Sequence, residues 1–139
     1  MLIRQLSVFM PNQKGHLARF TGLLKDHAID IRALVCFDTA EYGILRAIVS
    51  DPERAVEILT EEGFVAKISQ VLAVEPEDRT GSLHEIFRLI ADAGQNVDYM
   101  YSFVPTQGAM PYFVIKTDDI EKTGPLLKAA GVKVIDLEL

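Results

Sequence analysis

Apolar and polar positions follow the same order twice along this chain. In each half, an apolar run leads into a charged turn around one glycine, and the turn opens into a segment with apolar residues at helical spacing. The two copies of this turn are FMPNQKGHLARF, residues 9–20, and EPEDRTGSLHEI, residues 75–86. Two strand-like runs, a second helical segment and a last apolar run follow in each half. The pattern therefore predicts strand, helix, strand, strand, helix, strand, made twice.

The repeat determines the predicted fold class. Gly15 and Gly81 stand 66 positions apart, and at this offset the apolar positions of the two halves coincide. An internal repeat of this length indicates one supersecondary unit used twice. The order of strands and helices is that of the split βαβ unit. We therefore predict an α+β fold of two ferredoxin-like βαββαβ units, residues 1–68 and 69–139.

The junction between the repeats predicts how the units combine. FVAKISQVLAVE, residues 64–75, must hold the last strand of one unit and the first strand of the next, with no turn formers between them. We expect the units to lie side by side, with their second strands, residues 30–37 and 96–104, paired edge to edge, because this pairing removes two exposed edges. The result would be one eight-stranded antiparallel sheet with four helices on one face.

The predicted strands lack a polar face. Runs such as LVCF, residues 34–37, and YMYSFV, residues 99–104, are apolar on both sides of the pleat, as in sheets that are buried on both faces. Helices cover one face of the predicted sheet. We therefore predict that a second protomer covers the other face and that the protein is a homodimer.

Composition narrows the class of partner. The 139 residues carry a formal net charge of −6, which disfavours a nucleic acid, since such binding depends on clustered Lys and Arg. No apolar run has the length of a membrane span, and residues 1–10 lack the apolar core of a signal peptide. Cys36 is the only cysteine, and its apolar neighbours predict a buried, inert thiol. We expect a cytoplasmic protein that binds neither nucleic acid nor membrane.

The turns and the segments that follow them carry a family resemblance. In each half, an apolar strand precedes N/D-x-x-G-x-L at the start of a helix, then comes a strand beginning with [D/N]-[I/V], and then a second helix that begins after Asp and ends in Gly. The residues that carry this pattern are Asn12, Gly15, Leu17, Asp30, Ile31, Asp51 and Ala55, and again Asp78, Gly81, Leu83, Asn96, Val97 and Asp118. Over essentially its whole length, the chain resembles two tandem ACT domains.

This resemblance implies a function. ACT domains are regulatory modules without catalytic activity, and they bind small ligands, most often free amino acids, at the seam between two side-by-side domains. The ligand lies between the strand-to-helix turn of one domain and the start of the second strand of its neighbour. On this resemblance we expect a regulatory, allosteric protein that binds an amino acid and needs no cofactor. An enzyme that it regulates is a further candidate partner.

The family's contact positions, carried over to this chain, give two candidate pockets. The first comprises Asn12, Gln13, Lys14, Gly15, His16 and Leu17 with Asn96 across the seam, and the second comprises Asp78, Arg79, Thr80, Gly81, Ser82 and Leu83 with Asp30 across the seam. Glycine permits close backbone approach, and the helix N-terminus behind it suits a carboxylate. Asn offers a donor and an acceptor to a zwitterion, whereas two Asp carboxylates repel the ligand's own. We favour the first pocket, and Arg79 is the residue that would rescue the second by pairing with an acid.

Structural roles are the alternative for the same residues. The two glycines serve turns in any case, and Ser82 with Glu85 has the spacing of a capping box. Asp30 and Asn96 follow helix ends, where both residue types are common. The alternative function is a structural or interaction subunit that docks and regulates a partner enzyme through its open sheet face, without binding a small ligand.

The sequence contains no motif typical of a metal site or of a catalytic site. His16, His27 and His84 lack the spacing of a metal site. The chain has no nucleophile elbow, no phosphate-binding loop and no C-x-x-C pair. We predict that the protein binds no metal and is not an enzyme.

Overall fold

The computed structural model describes residues 2–11, 13–38 and 42–136, and within them it shows seven strands and four helices. In chain order these are β1 (Ile3–Pro11), α1 (His16–Asp26), β2 (Ile31–Asp38), β3 (Tyr42–Val49), α2 (Pro52–Glu61), β4 (Val65–Glu75), α3 (Ser82–Asp92), β5 (Val97–Phe103), β6 (Tyr112–Thr117), α4 (Ile120–Ala129) and β7 (Lys133–Ile135). The chain divides into two compact units. The first unit is residues 4–69, and the second unit is residues 2–3 with 70–136.

The first unit is a sheet with two helices on one face. β3 pairs antiparallel with both β1 and β2. Leu6 and Val8 alternate along β1 and point into a core that also holds Phe20 and Leu24 of α1 and Leu59 of α2. All five side chains have 0% exposure. Since α1 and α2 both pack on this face, the unit has the predicted ferredoxin-like layers.

The second unit repeats this arrangement. β4 pairs antiparallel with β6 and β7, and β6 pairs with β5. The core joins Leu72 of β4 and Ile115 of β6 to Ile86 and Ile90 of α3 and Leu127 of α4. These residues occupy positions equivalent to those of the first core. For example, Ile86 stands 66 positions after Phe20, which is the offset of the repeat. The repeat in the sequence is therefore a repeat in the fold.

The predicted eight-stranded sheet is wrong. The strand order is β2-β3-β1-β4-β6-β5 with β7 beside β4, so β2 and β5 stand at the two ends and do not pair as expected. The count falls to seven because β4 continues through the junction for 11 residues, where two strands were expected. No Gly, Pro or Asn interrupts Val65–Glu75, so the chain has no turn at which to separate the strands.

Several residues on the sheet faces opposite the helices are also buried. Gln5 and Ser7 alternate with the core residues of β1, and they have 0% and 4% exposure. Ile48 of β3, Val71 of β4 and Val114 of β6 are not exposed at all. On the same face, however, Phe9 of β1 and Phe37 of β2 are 38% and 43% exposed. The homodimer stays a prediction.

The expected burial of Cys36 is wrong. Its side chain is exposed, as are those of Leu34 and Phe37 on the same strand. β2 stands at an end of the strand order. Apolar neighbours along the sequence therefore do not bury the thiol, since burial in a strand depends on what covers its faces and edges.

The N-terminus of α2 confirms a predicted helix start and yields a test. Asp51 is the N-cap, its Oδ1 accepts from Arg54 N–H at 3.2 Å, and Pro52 follows at the first helical position. We expect Asp51→Ala to lower the free energy of unfolding by about 1 kcal/mol in urea titrations followed by circular dichroism. Asp119→Ala is the matched control, because Asp119 is the N-cap of α4 without such a bond. Equal losses in the two variants would contradict the cap's role.

Of the helices in the described part of the chain, none has the length and apolar character that crossing a membrane requires.

Candidate functional site

The first turn joins β1 to α1. Gly15 is the N-cap of α1 and has a φ of +85°, in the left-handed region that favours glycine. The N–H of Arg19 donates to the carbonyl of Gly15 at 2.9 Å. Glycine has no side chain with which to cap the helix, and the first helical turn, residues 16–19, contains no acid. These residues therefore leave the positive end of the helix dipole without a negative partner.

Most predicted residues of the first pocket lie at the surface of this turn. Gln13, Lys14 and Leu17 are exposed, whereas His16 is half-buried. Nε2 of His16 lies 3.1 Å from Oε1 of Gln13, and its Nδ1 is buried without a partner among the described residues. The imidazole also meets the ring of Phe64 edge-on, with centroids 6.3 Å apart. Asn12 lies outside the described residues.

A cavity of about 290 Å³ lies beside the first turn, and we call it the first crevice. Its walls include Phe9, His16, Arg19, Tyr42 and Phe64. The Arg19 guanidinium lies 4.9 Å from the centroid of the Phe64 ring. It also donates to the carbonyl of Glu62 at 2.6 Å and to the carboxylate of Glu62 at 3.2 Å. The first crevice thus combines aromatic walls with a cation.

The second turn joins β4 to α3 and has the same backbone. Gly81 is the N-cap of α3, with a φ of +88°. Its side chains differ, because Arg79 donates to Glu85 through two bonds, 3.0 Å to Oε1 and 2.5 Å to Oε2, and to Glu77 at 2.8 Å. The hydrogen bonds with Glu85 raise the pKa of Arg79, and the same bonds lower the pKa of Glu85. Both groups therefore stay charged and paired at neutral pH.

The capping box expected at this turn is wrong. Gly81, and not Ser82, is the N-cap, which makes Ser82 the first residue inside α3. The Glu85 side chain is bonded to Arg79 instead of reaching back to the helix start. The S-x-x-E spacing is present, but the left-handed glycine shifts the helix start by one residue and removes the geometry that the box needs.

A cavity of about 450 Å³ lies beside the second turn, and we call it the second crevice. Its charged walls are Glu75, Glu77, Asp78, Arg79, Glu85 and Lys133. Lys133 lies 2.6 Å from Glu75, and this hydrogen bond raises the pKa of Lys133. Both cations are thus paired with carboxylates of the chain. The other predicted residues differ in burial: Asp78, Thr80 and Gly81 are exposed, Leu83 is half-buried and Ser82 is buried.

The predicted residues at the second strands lie beside matching β-bulges. The register shifts between Ile31 and Ala33 in the first unit and between Val97 and Tyr99 in the second, which leaves Arg32 and Asp98 as the extra residues. Arg32 pairs with Asp30 at 3.1 Å, and Asp98 accepts from the Asn96 amide at 3.2 Å. The N–H groups of Asp30 and Asn96 donate to Ser50 and Asp118, respectively. Each predicted residue therefore has a structural role in its own unit.

The structure brings the turn residues of each pocket together within one unit. Asp30 and the first turn belong to the first unit, whereas Asn96 and the second turn belong to the second. The pairing of each turn with the opposite unit stays a prediction of the resemblance.

Sequence reasoning missed three residues that shape the crevices. Arg19 and Phe64 line the first crevice, and Glu85 holds Arg79 in the second. One signal was present, because the repeat offset aligns Arg19 with Glu85 and so reverses the charge at one helical position. Phe64 gives no local signal, since it comes to the turn from a segment remote in sequence.

In the described part of the chain, no three of its His, Cys, Asp and Glu residues are grouped so that they could hold a metal ion.

Comparison with known proteins identifies relatives of this fold. The ACT domain pair family matches residues 1–136. A crystal structure of a Bacteroides thetaiotaomicron protein is 31% identical and superposes with a TM-score of 0.88, over 97% of this chain and 92% of that one. A search of curated proteins found no match.

Two solved structures with lower identity share the fold. The regulatory subunit of aspartate kinase from Thermus thermophilus, in its ligand-free form, is 17% identical with a TM-score of 0.64, over 93% of each chain. The corresponding subunit from Thermus flavus is 16% identical with a TM-score of 0.61, over 94% of each chain.

Proposed function

This chain belongs to the ACT domain pair family, and from that premise we propose that it is a regulatory protein without catalytic activity that binds a free amino acid. We further propose that the ligand binds at the interface between the two ACT domains, residues 1–68 and 69–139. The structures related by fold include regulatory subunits of an amino-acid kinase, which fits a regulatory role. An enzyme partner and an allosteric effect on it belong to the same proposal.

The observation that carries the proposal is the difference between the two turns. At the first turn, the helix start has no acid and no capping side chain on Gly15, and Arg19 and His16 stand beside it. A carboxylate placed there would meet backbone N–H groups and positive charge. Arg19 meets the Glu62 carboxylate through one bond of 3.2 Å, whereas at the second turn Glu85 holds the nearest cation, Arg79, through both of its oxygens. We therefore assign the amino acid to the first turn.

The first crevice suggests which side chains would be accepted. Its volume of about 290 Å³ leaves room beside the turn for the side chain of an amino acid, and its walls include Phe9, Tyr42 and Phe64. Apolar walls favour an apolar ligand side chain. Asn96 is proposed to complete the site from the second unit. Its amide donates to Asp98, which leaves Oδ1 to accept from the ligand's ammonium group.

A thermal-shift screen of the twenty amino acids tests the proposal. A ligand present at about 100 times its dissociation constant stabilises the folded state by about 2.7 kcal/mol, which is a readily measured shift. We expect the largest shifts from amino acids with apolar side chains. No shift with any of the twenty would reject amino-acid binding and favour a subunit that acts through protein contacts alone.

Variants locate the site once a ligand is found. Asn12→Ala and Asn96→Ala are each expected to abolish the shift, because each removes a donor and an acceptor for the zwitterion. Asp78→Ala is the control at the second turn and should leave most of the shift. The reverse order of effects would move the ligand to the second pocket.

The alternative function is docking of a partner enzyme through an open sheet face. On the face of the first unit opposite its helices, Phe9 of β1 and Phe37 of β2 are 38% and 43% exposed, whereas Ile48 of β3 is buried. A shift with any amino acid in the screen would distinguish amino-acid binding from docking alone.

A further inference from the structure

The two turns share a backbone but differ in one internal contact. Both begin their helix with a left-handed glycine, Gly15 or Gly81. At the fourth residue of the helix, the first unit has Arg19 and the second has Glu85. Only Glu85 reaches back to a cation of its own turn, Arg79, and it does so through both carboxylate oxygens. A carboxylate in two-point contact with a guanidinium is the contact that a carboxylate ligand would make.

We propose that Glu85 is an internal carboxylate that occupies Arg79 and closes the second turn to amino-acid ligands, so that each chain binds one amino acid at the first turn. This proposal rests on the proposed function and adds the stoichiometry and the residue that controls it. The second turn then holds a latent site, with Arg79 and the start of α3 for a carboxylate and the second crevice for the rest of the ligand.

The surroundings of Arg79 explain why a ligand does not simply displace Glu85. Glu85 is part of α3, which begins at this turn, so its carboxylate stays near Arg79 at a high effective concentration. A ligand must give up its translational freedom to replace it. Glu77 holds the Nε of Arg79 at 2.8 Å and keeps the guanidinium in place. Glu75 and Asp78 line the same crevice and repel a second negative charge. Removing the Glu85 charge would free two guanidinium donors without disturbing the apolar floor formed by Ile86 and Leu89.

The test compares Glu85→Gln with the wild-type protein by amide NMR, which suits a chain of 15.4 kDa. L-phenylalanine is the probe, and phenethylamine, which lacks the carboxylate, is its control. The amides of Gly81 and Leu83 report on the second turn, and those of Gly15 and Leu17 report on the first. We expect Glu85→Gln to lower the L-phenylalanine concentration that titrates the second turn by about tenfold or more, with no gain for phenethylamine.

Matched variants separate the contact between Glu85 and Arg79, which we call the gate, from a general loss of negative charge. Glu77→Gln removes a carboxylate from the same guanidinium but leaves the two-point contact, so its second turn should stay closed. Glu85→Met, which keeps the length of the side chain, should open the turn and serves as a second variant if Glu85→Gln unfolds. Adding Arg79→Gln to Glu85→Gln should abolish the gained binding.

The outcomes for the gate and for the proposed function are distinct. Equal titration of the Gly81 amide in wild-type protein and in both Glu85 variants would overturn the gate, whatever happens at the first turn. Titration of the Gly15 amide in the wild-type protein bears on the proposed function alone. Opening of the second turn by Glu77→Gln to the same extent would also overturn the gate, because the effect would then be one of overall charge.

Discussion

Replacing Phe20 by alanine is expected to lower the free energy of unfolding by about 3–5 kcal/mol. Phe20 lies on the inner side of α1, has 0% exposure and is among the largest side chains buried completely in the described chain. Truncation removes the transfer free energy of the ring and leaves a cavity that close-packed neighbours such as Leu24 and Leu59 fill only in part. Urea titration followed by circular dichroism measures the loss, since the chain has no tryptophan for fluorescence.

Leu17→Ala is the matched control for this prediction. It changes a large apolar residue to alanine on the same helix, but Leu17 is 45% exposed. We expect a loss within about 0.5 kcal/mol. Comparable losses at both positions would mean that α1 does not face the core with Phe20.

Gly15→Val is expected to combine a loss of stability with a loss of ligand binding. A β-branched residue at a φ of +85° is strained by about 1–3 kcal/mol. The strain comes from the backbone alone, because a Cβ added at Gly15 would meet no atom within 4 Å. Forcing the backbone out of the left-handed region displaces the N–H groups proposed to hold the carboxylate. The variant should therefore lose the thermal shift produced by the best amino acid of the screen.

Gly81→Val provides a control with the same strain. Gly81 has a φ of +88°, and its added Cβ would also meet no atom within 4 Å. We expect a similar loss of stability but a retained ligand shift. Loss of the shift in both variants to the same degree would contradict the assignment of the ligand to the first turn.

Much of the fold could be predicted because it depends on local periodicity. Phe20 and Leu24 on a helix, and Leu6 and Val8 on a strand, repeat at the spacings of their elements, and the duplication confirms each pattern once more in the second half. The prediction of two strands at the junction between the repeats was wrong for a physical reason. An unbroken strand and two short strands laid end to end have the same apolar alternation, and only a turn former would distinguish them.

The candidate site was less predictable because its chemistry depends on contacts between distant residues. The glycine turns were visible, since their sequence determines their backbone. Arg19 contacts Glu62, which is 43 positions away, and no local spacing in the sequence predicts such a pair. Glu85 was assigned to a capping box because its partner, Arg79, is chosen by the course of the turn and not by spacing. The exposure of Cys36 was missed in the same way, since neighbours in sequence do not show which strand lies at an edge.

Because β4 is one continuous strand across the junction, it also determines where the chain tolerates an insertion or a deletion. Tandem copies are usually joined by an exposed loop, where insertions are accommodated most easily. Here Ser69 and Gln70, on either side of the boundary between the units, both lie within a strand. One added residue at this point would turn every later side chain of the strand to the opposite face and would take Leu72 out of its core. Natural variation in length is therefore expected in loops such as residues 104–111, while the number of residues at the junction between the copies stays constant.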